Sequence, residues 1–574
     1  MVSPDPITAI DDDDDDPSDA SSVTIDNDLD RPYFLREDSR RTTTPFLPLP
    51  ETVDLTDPDG DYVADECFEI LHEDWVRSAS AARSPEQPEL PQRRRLEEVT
   101  GDDGIVYMLG QSVELHDNTF LRISSIWEES REIFLQGRRL LKVRYHVGNY
   151  LPRWHNELIW IANETTDIPL AIVQRFVAIH FTNHCHPSHD PQKKARPNNL
   201  FCRLKGVLNT SVEFLTDTEA DSDFCLKPIA LRRSWRGEVS SFGSVRRHQT
   251  PVVVLDETED TQQQKYTFGD GFCGAGGVSC GAEAAGLQIK WAFDLSSRAA
   301  ATYRLNFPTA ECEESDIFSF LTNDEEFLRV DVTHGSPPCQ TFSPAHTIAS
   351  ANDDANSACI FSCADIIRKA RPRVHTMEET SGLLERHRAT LDRVILDFIE
   401  IGYSVRWALL KCMEYGVPQI RKRLIIIASG PGETLPPLPR PTHGLPGSGL
   451  RNLVTINQAI SNIPPGALDH DIEGALSRGS QNWKVPFDGN QQARTVTCGG
   501  GDSNYNYHPS GQRPFTYREY ACLQTFPLSF RFGPLEVLKQ IGNAVPPLLA
   551  KAVYEGIIRS LRETDERELR ESKR

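Results

Sequence analysis

Gly335-Ser-Pro-Pro-Cys339-Gln-Thr-Phe-Ser343 places a cysteine directly behind two prolines. Proline fixes its own φ and restrains the residue before it, so the thiol has little freedom. That setting suits a nucleophile, because the thiolate is strongly nucleophilic and also leaves readily. Further on, Gln419-Ile-Arg421-Lys-Arg423 sets two guanidinium groups two residues apart. In an extended segment they share one face.

A second chemical feature is rich in glycine. Gly269-Asp-Gly-Phe-Cys-Gly274 matches G-x-G-x-x-G, and Asp294 follows Gly274 by 20 residues. The pattern implies a strand ending in a tight turn that a ligand can approach closely, with a carboxylate on the next strand for ribose hydroxyls. It fits a dinucleotide, bound by its pyrophosphate, or S-adenosylmethionine, bound by its amino-acid end. The denser core, Phe272-Cys-Gly274-Ala-Gly276-Gly277, is F-x-G-x-G-G.

Elements that could hold these groups alternate from about Thr261. Lys265–Phe268, Ile289–Phe293, Val332–Gly335, Val374–Met377, Val405–Leu410 and Leu424–Ala428 read as short strands, with helical patterns at Cys359–Ala370 and Leu391–Ile401. The alternation predicts an α/β domain over 261–574 with a mainly parallel sheet. Residues 430–492 are rich in Pro and Gly and read as a loop-dominated insertion.

Upstream, Tyr107–Val113, Leu121–Trp127, Leu140–Tyr145, Glu157–Ile161 and the mixed run Ile168–Ile179 predict a β-rich domain over 101–250. Residues 1–100 predict disorder: they contain Asp11 to Asp16 and few periodic apolar positions. Val53-Asp54-Leu55-Thr56 has the form of a strand-adding motif, although a chance apolar trio is the better account. Arg93-Arg94-Arg95 is a weak nuclear-import signal.

The chain has 574 residues and a net charge of −22. Residues 1–60 alone hold 17 acidic and 4 basic residues, so the total says little about any groove that meets nucleic acid. Thirteen cysteines without a C-x-x-C pair predict reduced thiols rather than a disulfide framework. His184, Cys185, His186 and His189 match no zinc spacing, and no metal is expected. The acidic start and the lack of a long apolar run predict neither secretion nor a membrane span.

F-x-G-x-G-G, P-C-Q at Pro338–Gln340, Glu378, Q-x-R-x-R, R-E-x-x-x-L-Q-x-F-P from Arg518 to Pro527, and G-N-A-V-P-P from Gly542 to Pro547 occur in that order. Together, over about Tyr266 to Tyr554, they resemble the DNA (cytosine-5) methyltransferases. The resemblance implies a Rossmann-like S-adenosylmethionine-dependent domain with 430–492 as its target-recognition insertion. It implies that Cys339 adds to C6 of a cytosine flipped out of double-stranded DNA. Glu378 would act at N3 as an acid of raised pKa, Arg423 at O2, and Arg421 would hold the site. Phe272, Gly274, Gly276, Asp294 (ribose), Asp316 and Ile317 (adenine), Asn543 and Val545 would bind the cofactor.

Ser-Pro-Pro-Cys-Gln combined with Glu-Glu-Thr is most similar to the fungal RIP-defective group of de novo enzymes. One departure stands out: Glu379 occupies the place of the asparagine that most relatives carry. Its charge, if close, would raise the Glu378 pKa further. Gly110–Val113, Asn156–Trp160, Ile168–Ile172 and Phe201–Arg203 resemble the bromo-adjacent homology (BAH) module of chromatin proteins. These resemblances imply a nuclear enzyme of DNA methylation and chromatin silencing, with chromatin proteins as partners. The alternatives are a methyltransferase fold that acts only by binding, and an enzyme acting on structured RNA. A dinucleotide oxidoreductase has no use for P-C-Q followed by Q-x-R-x-R.

Overall fold

The computed structural model describes residues 93–101, 104–143, 154, 156–164, 166–185, 200–207, 210–237, 266–338, 342, 359–479, 485–498 and 507–573. Cys339, Val53–Thr56, His186 and His189 lie outside the described residues.

The N-terminal part is antiparallel for most of its length. Its main strands are β1 (Arg94–Leu96), β2 (Ser112–Leu115), β3 (Phe120–Glu129), β4 (Glu132–Lys142), β5 (Glu157–Ile161), β6 (Val173–Val177), β7 (Leu200–Val207) and β8 (Ser211–Phe214). Their pairing runs β6-β2-β3-β4-β5-β7-β8, with β5 and β7 parallel and β1 also on β3. Val113, Leu121, Ile123, Ile126 and Leu135 alternate inward to form one core.

Of the strand expected at Leu140–Tyr145, Arg144 and Tyr145 lie outside the described residues, and Leu140–Lys142 form the end of a much longer one. The hairpin that begins it turns on Ser130 and Arg131, at φ 51° and 71°. Two left-handed residues match the twist of a tight hairpin, but Ser-Arg lacks the Asn-Gly or Asp-Gly signature, so the sequence hides the turn.

The second part opens with β9 (Thr267–Gly271), followed by β10 (Gln288–Asp294), β11 (Glu311–Glu314), β12 (Val332–Gly335), β13 (Val374–Thr380), β14 (Ser404–Lys411) and β15 (Lys422–Ser429). Pairing gives the order β11-β10-β9-β12-β13-β15-β14, parallel except for β15. The chain leaves β9 on one side for β10 and β11, then returns to its other side for β12 and β13. A ligand crevice is expected outside the carboxyl ends at that reversal. The sequence reading omits β11: its Glu-Cys-Glu-Glu composition suits an edge strand and not a buried one.

Both faces of this sheet are covered. Helices α5 (Ser362–Ala370) and α6 (Arg388–Ile401) bury Ile367, Leu391, Ile395 and Phe398 on one side. Each such side chain contributes roughly 1.5–3 kcal/mol relative to exposure. Gly402, at φ 110°, ends α6, and its N–H reaches the Ile399 carbonyl. On the other side lie α2 (Gly277–Ala285) and α9 (Pro547–Ser572). They are so close that a Cβ on Gly281 would meet the Pro547 carbonyl at 2.4 Å. Between α2 and α5 run α3 (Ser297–Asn306) and α4 (Ile317–Phe320), and before α9 run α7 (Tyr517–Leu523) and α8 (Val537–Asn543).

The two parts share one sheet. Strand β8 pairs antiparallel with β14 through Ser211–Arg406 and Val212–Val405. α1 (Pro228–Arg236) adds Arg232 to a buried ionic cluster, 3.0 Å from Glu433, and Arg373 bridges Glu433 (2.7 Å) and Asp565 (2.7 Å). Removing one member would strand a buried charge at a cost of about 3–5 kcal/mol. Residues 430–479 and 485–492 are chiefly loop, with the short helices Ile456–Ile460 and Ile472–Gly479.

Candidate active site

Strand β9 ends in a turn with Phe272 at φ 56°, Gly274 at 55° and Gly276 at 95°. For Phe272 this geometry costs on the order of 1 kcal/mol. It is held by ring contact with Phe293 (centroids 5.1 Å) and by the following N–H, of Cys273, on the Phe293 carbonyl. Gly276 has a second reason to be glycine, since a Cβ would lie 2.5 Å from the Phe307 ring. Among the described residues, nothing lies within 4 Å of where a Gly274 Cβ would be, so the turn is open to them on that side.

Asp294 lies beneath this turn at the carboxyl end of β10. Its Oδ2 accepts the Gly274 N–H (2.8 Å) and its Oδ1 the Ser296 N–H (2.8 Å). Burial raises its pKa, against the lowering by these two bonds. Each oxygen keeps a lone pair for a hydroxyl donor. The buried Asp270 accepts from Ser279 Oγ at 2.6 Å, and its Oδ1 has no partner among the described residues. Burial pushes it up to about 7, against the Ser279 bond and with help from the Asp294 charge.

At the adjoining strand ends, Asp316 caps α4: Oδ1 accepts the Phe318 and Ser319 N–H groups, and Oδ2 the Ser319 hydroxyl. These bonds hold its carboxyl below the usual range. Ile317 is buried, while Phe318 and Leu295 are 67% and 74% exposed. Val545 is buried, its carbonyl 2.4 Å from where a Gly277 Cβ would be, so the C-terminal segment lies on the start of α2. Asn543 is exposed and accepts the Cys498 thiol at 2.6 Å.

These residues fit S-adenosylmethionine. The open turn, the hydroxyl-accepting carboxylate and the exposed apolar pair suit its main chain, its ribose and a flat ring. The Asp294 carboxylate under the turn opposes a pyrophosphate and suits a cationic cofactor.

On the neighbouring strands, Glu378 Oε1 lies 2.6 Å from Arg423 Nε, with both side chains largely buried. Register places Glu378 opposite Ile425 and Thr380 opposite Arg423, so this pair faces the α9 side of the sheet. Arg421 is buried and bonds the carbonyls of Val496 (3.0 Å), Gly542 (3.1 Å) and Ala544 (3.1 Å). Gln419 donates to Leu523 O and Gln524 Oε1 and accepts the Val496 N–H. The Q-x-R-x-R segment therefore ties the end of the inserted region to the C-terminal motif.

Glu379 points to the opposite face, toward the α5–α6 side where its partner Leu424 packs. It is Glu379 whose pKa is pushed far up, by burial first and by the Glu378 charge second. The coupling expected from sequence thus falls on the other residue, because alternation separates neighbouring side chains in a strand.

Three supporting residues escaped the sequence reading. His334 joins Ser336 (2.6 Å) to Thr376 (2.8 Å), directly before the Pro-Pro-Cys segment. Burial lowers its pKa to about 3, with His375 contributing, so it is neutral. Ser279 and Cys498 are the others. None stands in a distinctive spacing; an unusual His in a strand just before Ser-Pro-Pro was the one available signal.

Comparison with known proteins agrees with this geometry. The profile described as C-5 cytosine-specific DNA methylase matches residues 266–471 and 469–559, more than half the chain. The chain is similar to the type II methyltransferase M.NgoFVII of Neisseria gonorrhoeae, with 31% identity over 48% of this chain and 82% of that protein. With M.AplI of Arthrospira platensis, identity is 32% over 52% of this chain and 87% of the relative. A solved S. pombe Dnmt2 methyltransferase aligns with 52% of this chain and 99% of its own, at 16% identity and TM-score 0.38. The chain belongs to the C-5 cytosine-specific DNA methylase family and is an enzyme whose methyl donor is S-adenosylmethionine.

Proposed function

We propose that the enzyme methylates C5 of cytosine in double-stranded DNA through a covalent bond from Cys339 to C6. The observation that carries this reading is the Glu378–Arg423 pair at 2.6 Å, beside an open glycine turn. Cytosine C5 is a weak nucleophile. Adding a thiolate at C6, with a hydrogen bond at N3, makes the ring an enamine whose C5 can attack. S-adenosylmethionine supplies the electrophilic methyl. Glu378 serves N3 and Arg423 holds O2, while Arg421 keeps the C-terminal segment seated. Water takes the C5 proton, the C5–H electron pair re-forms the C5–C6 double bond, and the Cys339 sulfur leaves with the electron pair of its bond to C6. The base is turned out of the helix to reach this pocket.

Residues 430–492 are read as the target-recognition region, which the bonds from Gln419 and Arg421 to Val496 would hold against the sheet. The β-rich N-terminal part is read as a BAH-like docking module for chromatin proteins, on the short resemblances given above. Nuclear residence, a silencing role and a place in the fungal RIP-defective group rest on the same resemblances. Tritium transfer from labelled cofactor to DNA and to RNA, in wild type and Cys339→Ala, tests the reading. Transfer to DNA alone, abolished by the substitution, with a covalent adduct on 5-fluorocytosine DNA, supports it. No transfer and no adduct overturns it in favour of a binding protein.

A further inference from the structure

Glu379 is fully buried; among the described residues its Oε1 meets no hydrogen-bond donor, and its Oε2 has only a long 3.3 Å bond from the Thr380 N–H. A buried carboxylate without cation or donor is among the costliest groups a fold can carry. As the neutral acid it becomes a donor and needs an acceptor.

Acceptors are what the adjoining backbone offers. The parallel ladder of β12 and β13 ends at Gly335 beside Met377, and the same register carried two residues further would bring Pro337 level with Glu379. That is about one strand spacing, ~4.8 Å. A Cβ on Gly335 would meet Cys363 and His375, so position 335, and position 337 by alternation, faces the same side as Glu379. Pro337 is buried, and prolines 337 and 338 offer carbonyls but no N–H. Beyond the cysteine, Phe342 is buried in the cluster that holds Met377 and Leu383.

We propose that Glu379 is carried as the neutral acid and donates a hydrogen bond to a carbonyl of the Ser336–Pro338 turn, making it a positioning residue for the Cys339 nucleophile. This rests on the function proposed above. The ionisable groups around it are Cys363 on α5, His375 on its own strand, and the Glu378–Arg423 pair across the sheet. Burial leaves Cys363 and His375 uncharged, and Glu378 opposes a second negative charge. The departure from asparagine at this position then keeps a donor in place while making it titratable.

The test compares Glu379→Gln, Glu379→Ala and wild type in the full chain. A glutamine keeps a donor without titrating. The melting temperature of Glu379→Gln should gain on wild type as pH rises from 5.5 to 9; a difference constant with pH overturns the neutral acid. Glu379→Ala should lower kcat for methyl transfer about tenfold or more with KM for S-adenosylmethionine unchanged, as displaced reacting groups do. It should also change the alkylation rate of Cys339 by iodoacetamide, read by mass spectrometry, and glutamine should restore both. Alanine matching wild type in both assays overturns the positioning role. If wild type transfers no methyl group, the function proposed above fails, while the melting and alkylation results still decide the role of Glu379.

Discussion

Glu378 Oε1 sits 2.6 Å from Arg423 Nε across neighbouring strands, although 44 residues separate them in sequence. The pair is a charge-assisted bond with little access to water, so each partner fixes the other's direction. Arg423→Ala should lower kcat by about 10²–10³, and a double-mutant cycle with Glu378→Gln should show coupling of about 1–3 kcal/mol. Initial rates of tritium incorporation measure both. Additive effects would mean that the two act independently.

Arg421 has a different task. Its Nη1 and Nη2 bond three backbone carbonyls, of Val496, Gly542 and Ala544. A lysine has a point charge and no planar fork with which to span them. Arg421→Lys should destabilise the protein by about 2–4 kcal/mol in urea unfolding, since several bonds to a charged group are lost together. It should also weaken binding of S-adenosylhomocysteine, because Ala544–Val545 lies on the start of α2.

Six of the seven strands of the catalytic sheet were legible as short apolar runs bounded by polar residues, the edge strand β11 being the exception; Val332–Gly335 matches residue for residue. The glycine turn and Asp294 were legible because backbone geometry dictates residue type there. Other features were hidden for definite reasons. The Ser130–Arg131 hairpin adopts left-handed angles without glycine. Arg421 and Arg423 share a motif and a face, yet only the folded chain shows that one pairs with a carboxylate and the other with carbonyls. Glu378 and Glu379 are adjacent in sequence and the charge of the first reaches the second, yet the pleat sends them to opposite faces and burial puts the shift on Glu379.

Gly277 is required by a neighbour, not by its own φ. A Cβ there would lie 2.4 Å from the Val545 carbonyl and 3.0 Å from the Ala544 Cβ. Gly277→Ala should push the C-terminal segment away from α2 at a cost of about 1–3 kcal/mol, as overpacking does. Calorimetry with S-adenosylhomocysteine should show the loss as affinity weaker by about tenfold or more. Unchanged affinity would separate this segment from the cofactor site.

Asp270 gives the cofactor turn a pH dependence whose sign is fixed. Its pKa rises from 3.8 to about 7 on folding, chiefly through burial, so the folded state holds a proton that the unfolded state has released between those values. Stability from this group is complete below the unfolded value and is lost as pH climbs through the window. A shift of that size corresponds to an upper figure of about 4 kcal/mol. Asp270→Asn keeps an acceptor for the Ser279 hydroxyl without titrating, so its urea midpoint should fall less than that of wild type between pH 4 and 8. Asp294 and Glu379, also raised, slope the same way, so the variant's curve is flattened and not level. If wild type and Asp270→Asn run parallel across the range, the aspartate is ionised when folded, and the unpartnered Oδ1 must then have found a donor beyond the described residues.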